Sequence, residues 1–334
     1  MNFGKIKTII FIGGGYQLYM ATKLANQKKI NTISIISKRH SNEMIKDNIK
    51  LKDALKKYGQ VFLFDKLDKN KIKKIIGKNP EFLVFSISSP WIFDDDIIKN
   101  IFNYKIINSH GTRLPIDRGG GGFSWRILNQ DKFGICLIHL ISSSKIDAGE
   151  IIFFKEFIFP HSLKKPQDYF KFQDKIEEKF IDSFLIKISK QEKFNTISQP
   201  EYLSVYLPRL HTDTNGWIDW SYNNTDLFNF ICAFDDPYNG ASTFINDKRV
   251  RIKSVTWTRS TFNFHPYQYG IIYKKTKDWI VVAINSGSII IEEVLNDKQE
   301  NILSKLKVGD RFTTPIEKLE SSKIRKYFTP NGLK

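Results

Sequence analysis

Three residues near the middle of the chain could share one reaction centre. Asn108 and His110 stand one residue apart behind the apolar pair Ile106 and Ile107, and Asp147 follows a second apolar run. In extended backbone, residues i and i+2 point to the same side, so the amide and the imidazole can face one site. The set suits direct acyl transfer to an amine. An amide N–H and a protonated imidazole can stabilise an oxyanion. A carboxylate can orient the imidazole and help take a proton from the attacking amine. No serine or cysteine is marked by the sharp-elbow motif of an activated nucleophile. A capping Asn, a core His and a turn Asp would show the same spacing, so spacing alone leaves the choice open.

These residues need strands that end together. Residues 7–12 form an apolar strand that runs into Gly13-Gly14-Gly15, and residues 16–26 have helical spacing with Leu18, Ala21, Leu24 and Ala25 on one side. A dinucleotide fingerprint would place glycine at position 18 and an acidic residue at the end of the next strand. Leu18 and the run 32–36 supply neither, which excludes a nicotinamide site of that type. The glycines still permit close approach of a substrate to the backbone. An exposed, lysine-laced helix is predicted over 45–58, strands over 61–64, 82–87 and 105–107, and helices over 69–76 and 97–102. Alternating strands and helices predict an α/β domain with a doubly wound, mostly parallel sheet. Ligands of such sheets lie beyond the carboxyl ends of the strands, where Asn108, His110 and the loop 88–93 fall.

Beyond Gly119 to Gly122, residues 123–128 start a helix, and 134–141 and 151–159 read as antiparallel strands around the Asp147 loop. Residues 176–188 predict an amphipathic helix with the stripe Ile176, Phe180, Phe184 and Ile188. The polar stretch 190–204 separates two predicted domains, 1–195 and 206–334. The second has a helix over 224–234 and short strands over 242–245, 250–257, 270–273, 279–284 and 288–294, the pattern of a small barrel.

Composition bounds the rest. Across 334 residues, 41% hydrophobic and 14% aromatic content can build a sizeable core. Cys136 and Cys232 give neither a disulfide framework nor metal spacing. No apolar run nears the roughly 18 to 20 residues of a membrane helix, and the N-terminal apolar run is too short for a signal core. A cytoplasmic, soluble protein with no membrane partner is the expectation. The net charge of +17 raises nucleic acid as a partner. Residues 1–80 hold 18 Lys and Arg against 5 Asp and Glu, whereas residues 201–334 hold 18 against 15. With 42 Lys to 10 Arg, the excess fits a biased genome as well as a binding surface.

Asn108-Ser109-His110, Leu114-Pro115-x-x-Arg118-Gly119 and Asp147-x-Gly149 together resemble the signature of the folate-dependent formyltransferases. The tail agrees independently. Pro208-Arg209, Gly216-Trp217-Ile218-Asp219-Trp220, Pro237-Tyr238-x-Gly240-Ala241 and Val308-Gly309-Asp310-Arg311 resemble the OB-like C-terminal domain of the methionyl-tRNA formyltransferases and their relatives. The resemblance spans nearly the whole chain. It implies a catalytic Asn108, His110 and Asp147, a Rossmann-like catalytic domain, 10-formyltetrahydrofolate as formyl donor, and no metal. It puts the pterin among Ser88, Ser89, Pro90, Trp91, Ile92, Leu114, Pro115, Ile141, Ser142 and Ser143. Close backbone approach at the glycines and the charge of Arg118 put the acceptor among Gly14, Gly15, Tyr16, Arg118 and Gly119, and a homodimer stays open.

Departures from the tRNA enzymes bear on the acceptor. Thr112-Arg113 replaces their Ser-Leu, Gly120-Gly121-Gly122 replaces Ala-Ala-Pro, and their basic insertion is not recognisable near residues 38–43. The near-neutral tail offers little to acidic tRNA. The resemblance therefore favours the nucleotide-sugar N-formyltransferases, which formylate an amine on a nucleoside-diphosphate-linked deoxysugar for surface polysaccharide. Methionyl-tRNA formylation and a non-catalytic folate- or nucleotide-sugar-binding module are the alternatives.

Overall fold

The computed structural model describes residues 1–45, 48–120, 122–258 and 262–333. Lys46 and Asp47 of the predicted 45–58 helix, and Gly121 of the glycine run, lie outside them.

The first half of the chain alternates as its hydrophobic pattern requires. In order come β1 (Thr8–Gly13), α1 (Gly15–Gln27), β2 (Asn31–Ser37), α2 (Lys38–Ser41), α3 (Leu51–Leu55), β3 (Gln60–Phe64), α4 (Lys69–Ile76) and β4 (Phe82–Ile87). A π-helical turn (Ile97–Ile101) leads to β5 (Ile106–His110), a two-residue β6 (Arg118–Gly119), α5 (Gly122–Leu128), β7 (Phe133–Leu140), β8 (Ile151–Ile158) and α6 (Pro166–Ser189). The main sheet has the order β3-β2-β1-β4-β5-β7-β8. Strands β3 through β5 pair in parallel. Strand β4 is buried along its whole length, as expected of a parallel strand covered on both faces. One apolar layer joins β1 and β4 to α1, α3 and α6; a second joins them to α4 and the π-helical turn. Strand β7 runs antiparallel to β5 and β8 antiparallel to β7, so the predicted doubly wound sheet carries an antiparallel edge.

Two predicted helices differ from those observed. The 45–58 helix shrinks to α3, because Met44 bridges Lys50 and Asn48 takes a left-handed conformation (φ 54°) between them. Helix α6 starts ten residues before the predicted 176–188 segment. Pro166 sits in its first turn, and the Asp168 carboxylate accepts the Lys165 backbone N–H at 3.3 Å. Its early turns bury Gln173 and Glu177 among apolar residues, and these polar residues broke the hydrophobic stripe.

The tail adds a short β9 (Tyr206–Leu207), α7 (Thr212–Asn215), α8 (Asn224–Ala233) and an antiparallel sheet: β10 (Ala241–Ile245), β11 (Lys248–Thr258), β12 (Ile272–Lys275), β13 (Ile280–Ile284), β14 (Gly287–Leu295) and β15 (Phe312–Thr313). Its order is β12-β13-β14-β11-β10-β15, and it curls until Ile271 bridges Arg311. Ile252, Ile280, Val282, Ile289, Ile291 and Phe312 fill the curl, and Ile127, Phe159 and Tyr169 of the first half join the same apolar cluster. Strand β9 returns to pair with β6 in parallel, setting the tail beside the site-bearing loops. Among the described residues no helix is long and apolar enough to cross a membrane.

Candidate active site

Asn108 and His110 lie on β5 itself, which runs three residues past its predicted end at 107. Antiparallel pairing with β7 sets Asn108 opposite His139, a residue the sequence reading missed. His139 is buried, and its Nδ1 lies 2.9 Å from the Leu140 carbonyl oxygen. A carbonyl only accepts, so Nδ1 carries the proton, and Nε2 accepts from Asn108 Nδ2 at 3.1 Å. The available signal was a lone imidazole inside the apolar run 135–141, eight residues before Asp147.

The loop after β7 returns Asp147 to this point. Asp147 sits in a left-handed conformation (φ 51°), and Gln199 Nε2 donates to the carbonyl oxygens of Asp147 (2.9 Å) and Gly149 (2.5 Å). Its Oδ2 accepts the Gly119 backbone N–H at 2.9 Å. Its Oδ1 lies 3.5 Å from His139 Nε2 and 3.8 Å from His110 Nδ1. Burial alone would raise the Asp147 pKa. The His110 charge, the neighbouring His139 ring and the Gly119 N–H outweigh it and hold the carboxyl well below the usual carboxylate range.

His110 is fixed from its other nitrogen. Nε2 lies 2.7 Å from Thr112 Oγ1 and 3.1 Å from the Asp117 carbonyl oxygen, and Thr112 donates to that carbonyl at 2.8 Å. With the hydroxyl proton so used, Nε2 carries a proton, and Nδ1 faces Asp147, where the charged ring carries its second proton. An amide, two imidazoles and an ionised carboxylate thus converge on one side of the β5 end.

The predicted donor residues divide. Trp91 and Ile141 pack on the same apolar cluster, and the Ser144 N–H donates to Asp95 Oδ1 at 2.7 Å, so the segments after β4 and β7 are tied together. Ser89 Oγ accepts the Trp91 N–H at 3.2 Å, while the Trp91 indole N–H reaches the Asp65 carbonyl at 3.4 Å. Ser88 takes a left-handed conformation at the turn out of β4. Ile92 and Ser142 are exposed, and Ser143 accepts the Lys145 N–H within its own loop. Leu114 packs on Ile135, Leu137 and Ile151, and the Pro115 carbonyl accepts from Val205.

The predicted acceptor residues divide as well. A Cβ on Gly14 would come within 2.4 Å of the His40 ring, so the protein's own packing uses that close approach; nothing crowds Gly15. Tyr16 packs against Tyr19. Arg118 is buried and turned into the protein: Nη1 donates to both Glu201 carboxylate oxygens (3.2 and 3.0 Å) and Nη2 to Gln199 at 3.4 Å, bracing the residue that clamps Asp147. Gly119 joins the cluster through Asp147. Beside it opens a cavity of about 390 Å³, lined by Thr112, Arg113, Asp117, Gly120, Trp125 and Arg126 among others.

The family model for the formyl transferase C-terminal domain matches residues 211–306. The methionyl-tRNA formyltransferase of Malacoplasma penetrans (strain HF-2) is 26% identical over 324 residues, which span 92% of this chain and 97% of that protein. The C-terminal part thus matches a formyl transferase domain, and nearly the whole chain is similar to a formyltransferase. Solved structures share the fold of this chain over most of its length. WlaRD, a sugar 3N-formyl transferase solved in the presence of dTDP and 5-N-formyl-THF, has a TM-score of 0.66 at 17% identity, covering 87% of this chain and 98% of that one. The N-formyltransferase from Helicobacter canadensis, in complex with folinic acid and dTDP-3-aminofucose, has a TM-score of 0.67 at 17% identity, covering 86% and 99%.

Proposed function

We propose that this formyltransferase transfers the formyl group of 10-formyltetrahydrofolate to the amine of an amino deoxysugar linked to a nucleoside diphosphate. One observation carries the reading: Asn108, His110 and an ionised Asp147 converge at the β5 end with no nucleophile among them. That set suits direct transfer to an amine. The folates of the two structural neighbours, the dTDP of one and the dTDP-3-aminofucose of the other are carried here to this chain. We take residues 1–195 as the catalytic unit and 206–334 as an OB-like accessory domain.

The donor fits the site in kind. A pterin needs apolar walls and backbone hydrogen bonds, which the tied segments around Trp91, Ile92 and Ile141 can offer. In the reaction, the acceptor nitrogen forms a bond to the formyl carbon and the bond from that carbon to the folate nitrogen breaks. Asn108 and His110 stabilise the negative charge that develops on the formyl oxygen. Asp147 takes the proton that leaves the attacking amine, directly or through water, and the folate nitrogen ends protonated. His139 holds the Asn108 amide in place and lies against Asp147.

Sequence similarity favours a second reading, methionyl-tRNA formylation, since a tRNA enzyme matches 92% of the chain. Against it stand the near-neutral tail and the glycines that replace Ala-Ala-Pro. The test is a formylation assay with 10-formyltetrahydrofolate against dTDP-, UDP- and GDP-linked amino sugars and charged initiator tRNA. Formylation of a sugar nucleotide, lowered on the order of 10²- to 10³-fold in His110→Ala, is the expected result. Formylation of the tRNA alone would overturn the sugar reading, and near-normal turnover in His110→Ala would overturn the catalytic assignment.

A further inference from the structure

Strand β5 has a second polar face. Between Asn108 and His110, Ser109 points the opposite way, as strand geometry requires. Its hydroxyl donates to Glu177 Oε1 at 3.1 Å. Glu177 projects from α6, is only 3% exposed, and sits among the apolar residues that pack α1 and α6 against the sheet. Gln17 Nε2, from α1, donates to its Oε2 at 2.6 Å, and Gln173 lies one turn earlier on α6. Gln173 also reaches the residue after β5: its Nε2 lies 2.7 Å from where a Gly111 Cβ would stand. Two donors, one from α1 and one from β5, therefore converge on one buried carboxyl of α6, directly behind the reacting side chains. The mechanism above does not use it.

We propose that Glu177 is a positioning residue for the transfer reaction, its ionised carboxylate tethering Ser109 and so aiming Asn108 and His110. The inference rests on the formyl-transfer reading of that pair. An ionised carboxylate accepts both donors, one on each oxygen. A protonated one must turn its own proton toward one of them, and when that oxygen is Oε1 the Ser109 proton loses its acceptor. Burial pushes the group up to about 7, against the hydrogen bonds of Ser109 and Gln17 and the neighbouring Gln173 amide, with the Asp174 charge adding to the rise. Cys136 on β7 also faces it, and burial, with Glu177, pushes that thiol up. Among the described residues no Lys or Arg forms an ion pair with Glu177. Ionisation therefore weakens the fold while it completes the tether. Between the ordinary carboxylate value and about 7, the native state keeps a proton that the unfolded chain has lost. Stability thus falls as pH rises through that window, and the loss is complete above it.

Glu177→Gln keeps the shape and removes the charge, so it separates positioning from mere packing. Above pH about 7 the variant should melt at a higher temperature than the wild type, and the wild-type stability loss with rising pH should flatten. Its turnover should fall on the order of 10- to 10²-fold with KM for the folate unchanged. It should also lack the wild-type rise in kcat through neutral pH. Ser109→Ala, which cuts the tether from the strand side, should lower kcat to a similar extent without raising stability. A wild type that formylates no acceptor would refute the transfer reading itself. An active wild type whose kcat and pH profile match those of Glu177→Gln would refute the tether. So would a Glu177→Gln variant that is less stable than wild type at pH about 8, the mark of a purely structural hydrogen bond.

Discussion

The two faces of β5 each carry a buried carboxyl, and the two are driven in opposite directions. In front, Asp147 meets two imidazoles and the Gly119 N–H and stays ionised. Behind, Glu177 meets neutral donors and the like charge of Asp174, and its pKa is pushed up to about 7. Burial opposes charge at both; the partners decide the outcome. One strand thus separates a fixed anion, suited to receive a proton, from a carboxyl poised between its two states. Such pairs, with environments that push their pKa values apart, are how a single fold assigns proton roles.

Replacing the front carboxylate tests that contrast most severely. Asp147→Asn removes the proton acceptor and should lower turnover on the order of 10²- to 10⁴-fold. It also removes a charge whose native pKa lies below its unfolded value, so its stabilisation is present above the unfolded pKa and fades as pH falls toward the native one. Urea melts should show the variant less stable by about 3 kcal/mol near neutral pH. The gap should narrow below pH about 4. A gap that widened in acid would mean that Asp147 is not held ionised by its neighbours.

A smaller effect comes from the residue that supports the front cluster from β7. His139→Leu leaves the Asn108 amide without its acceptor and should lower kcat by about 10²-fold while folate binding, read by titration with a stable analogue, stays close to normal. Equal losses in binding and turnover would move His139 from orienting Asn108 to holding the loop. The smallest effect belongs to Thr112→Val, which removes the hydroxyl between His110 Nε2 and the Asp117 carbonyl. The remaining 3.1 Å contact from Nε2 to that carbonyl keeps the ring, so about 1 kcal/mol, or roughly fivefold in kcat, is the expected cost. Full inactivation would show that the hydroxyl, rather than the carbonyl, fixes the ring.

Much of this was legible in the chain. The buried strand 82–87 and the helix 69–76 match the observed elements residue for residue, because a mainly apolar run and helical spacing are local signals. The α6 start was equally local, in Pro166 and Asp168, but Gln173 and Glu177 on its buried face hid it. Arg118 read as a cation available to an acceptor; in the structure Glu201 and Gln199 already hold its guanidinium.

By itself the sequence determined which side chains are available and that Asn108 and His110 share a side, since a period of two is fixed by the backbone. Residue types at set spacings also carried the resemblance to the formyltransferases. Only the tertiary structure decided that β7 runs antiparallel to β5 and so brings His139 onto Asn108, that Gly119 reaches Asp147, and that α6 delivers Glu177 behind Ser109. Those contacts join residues between 28 and 68 positions apart. Their charge states follow from burial and partners that exist only once the layers have packed.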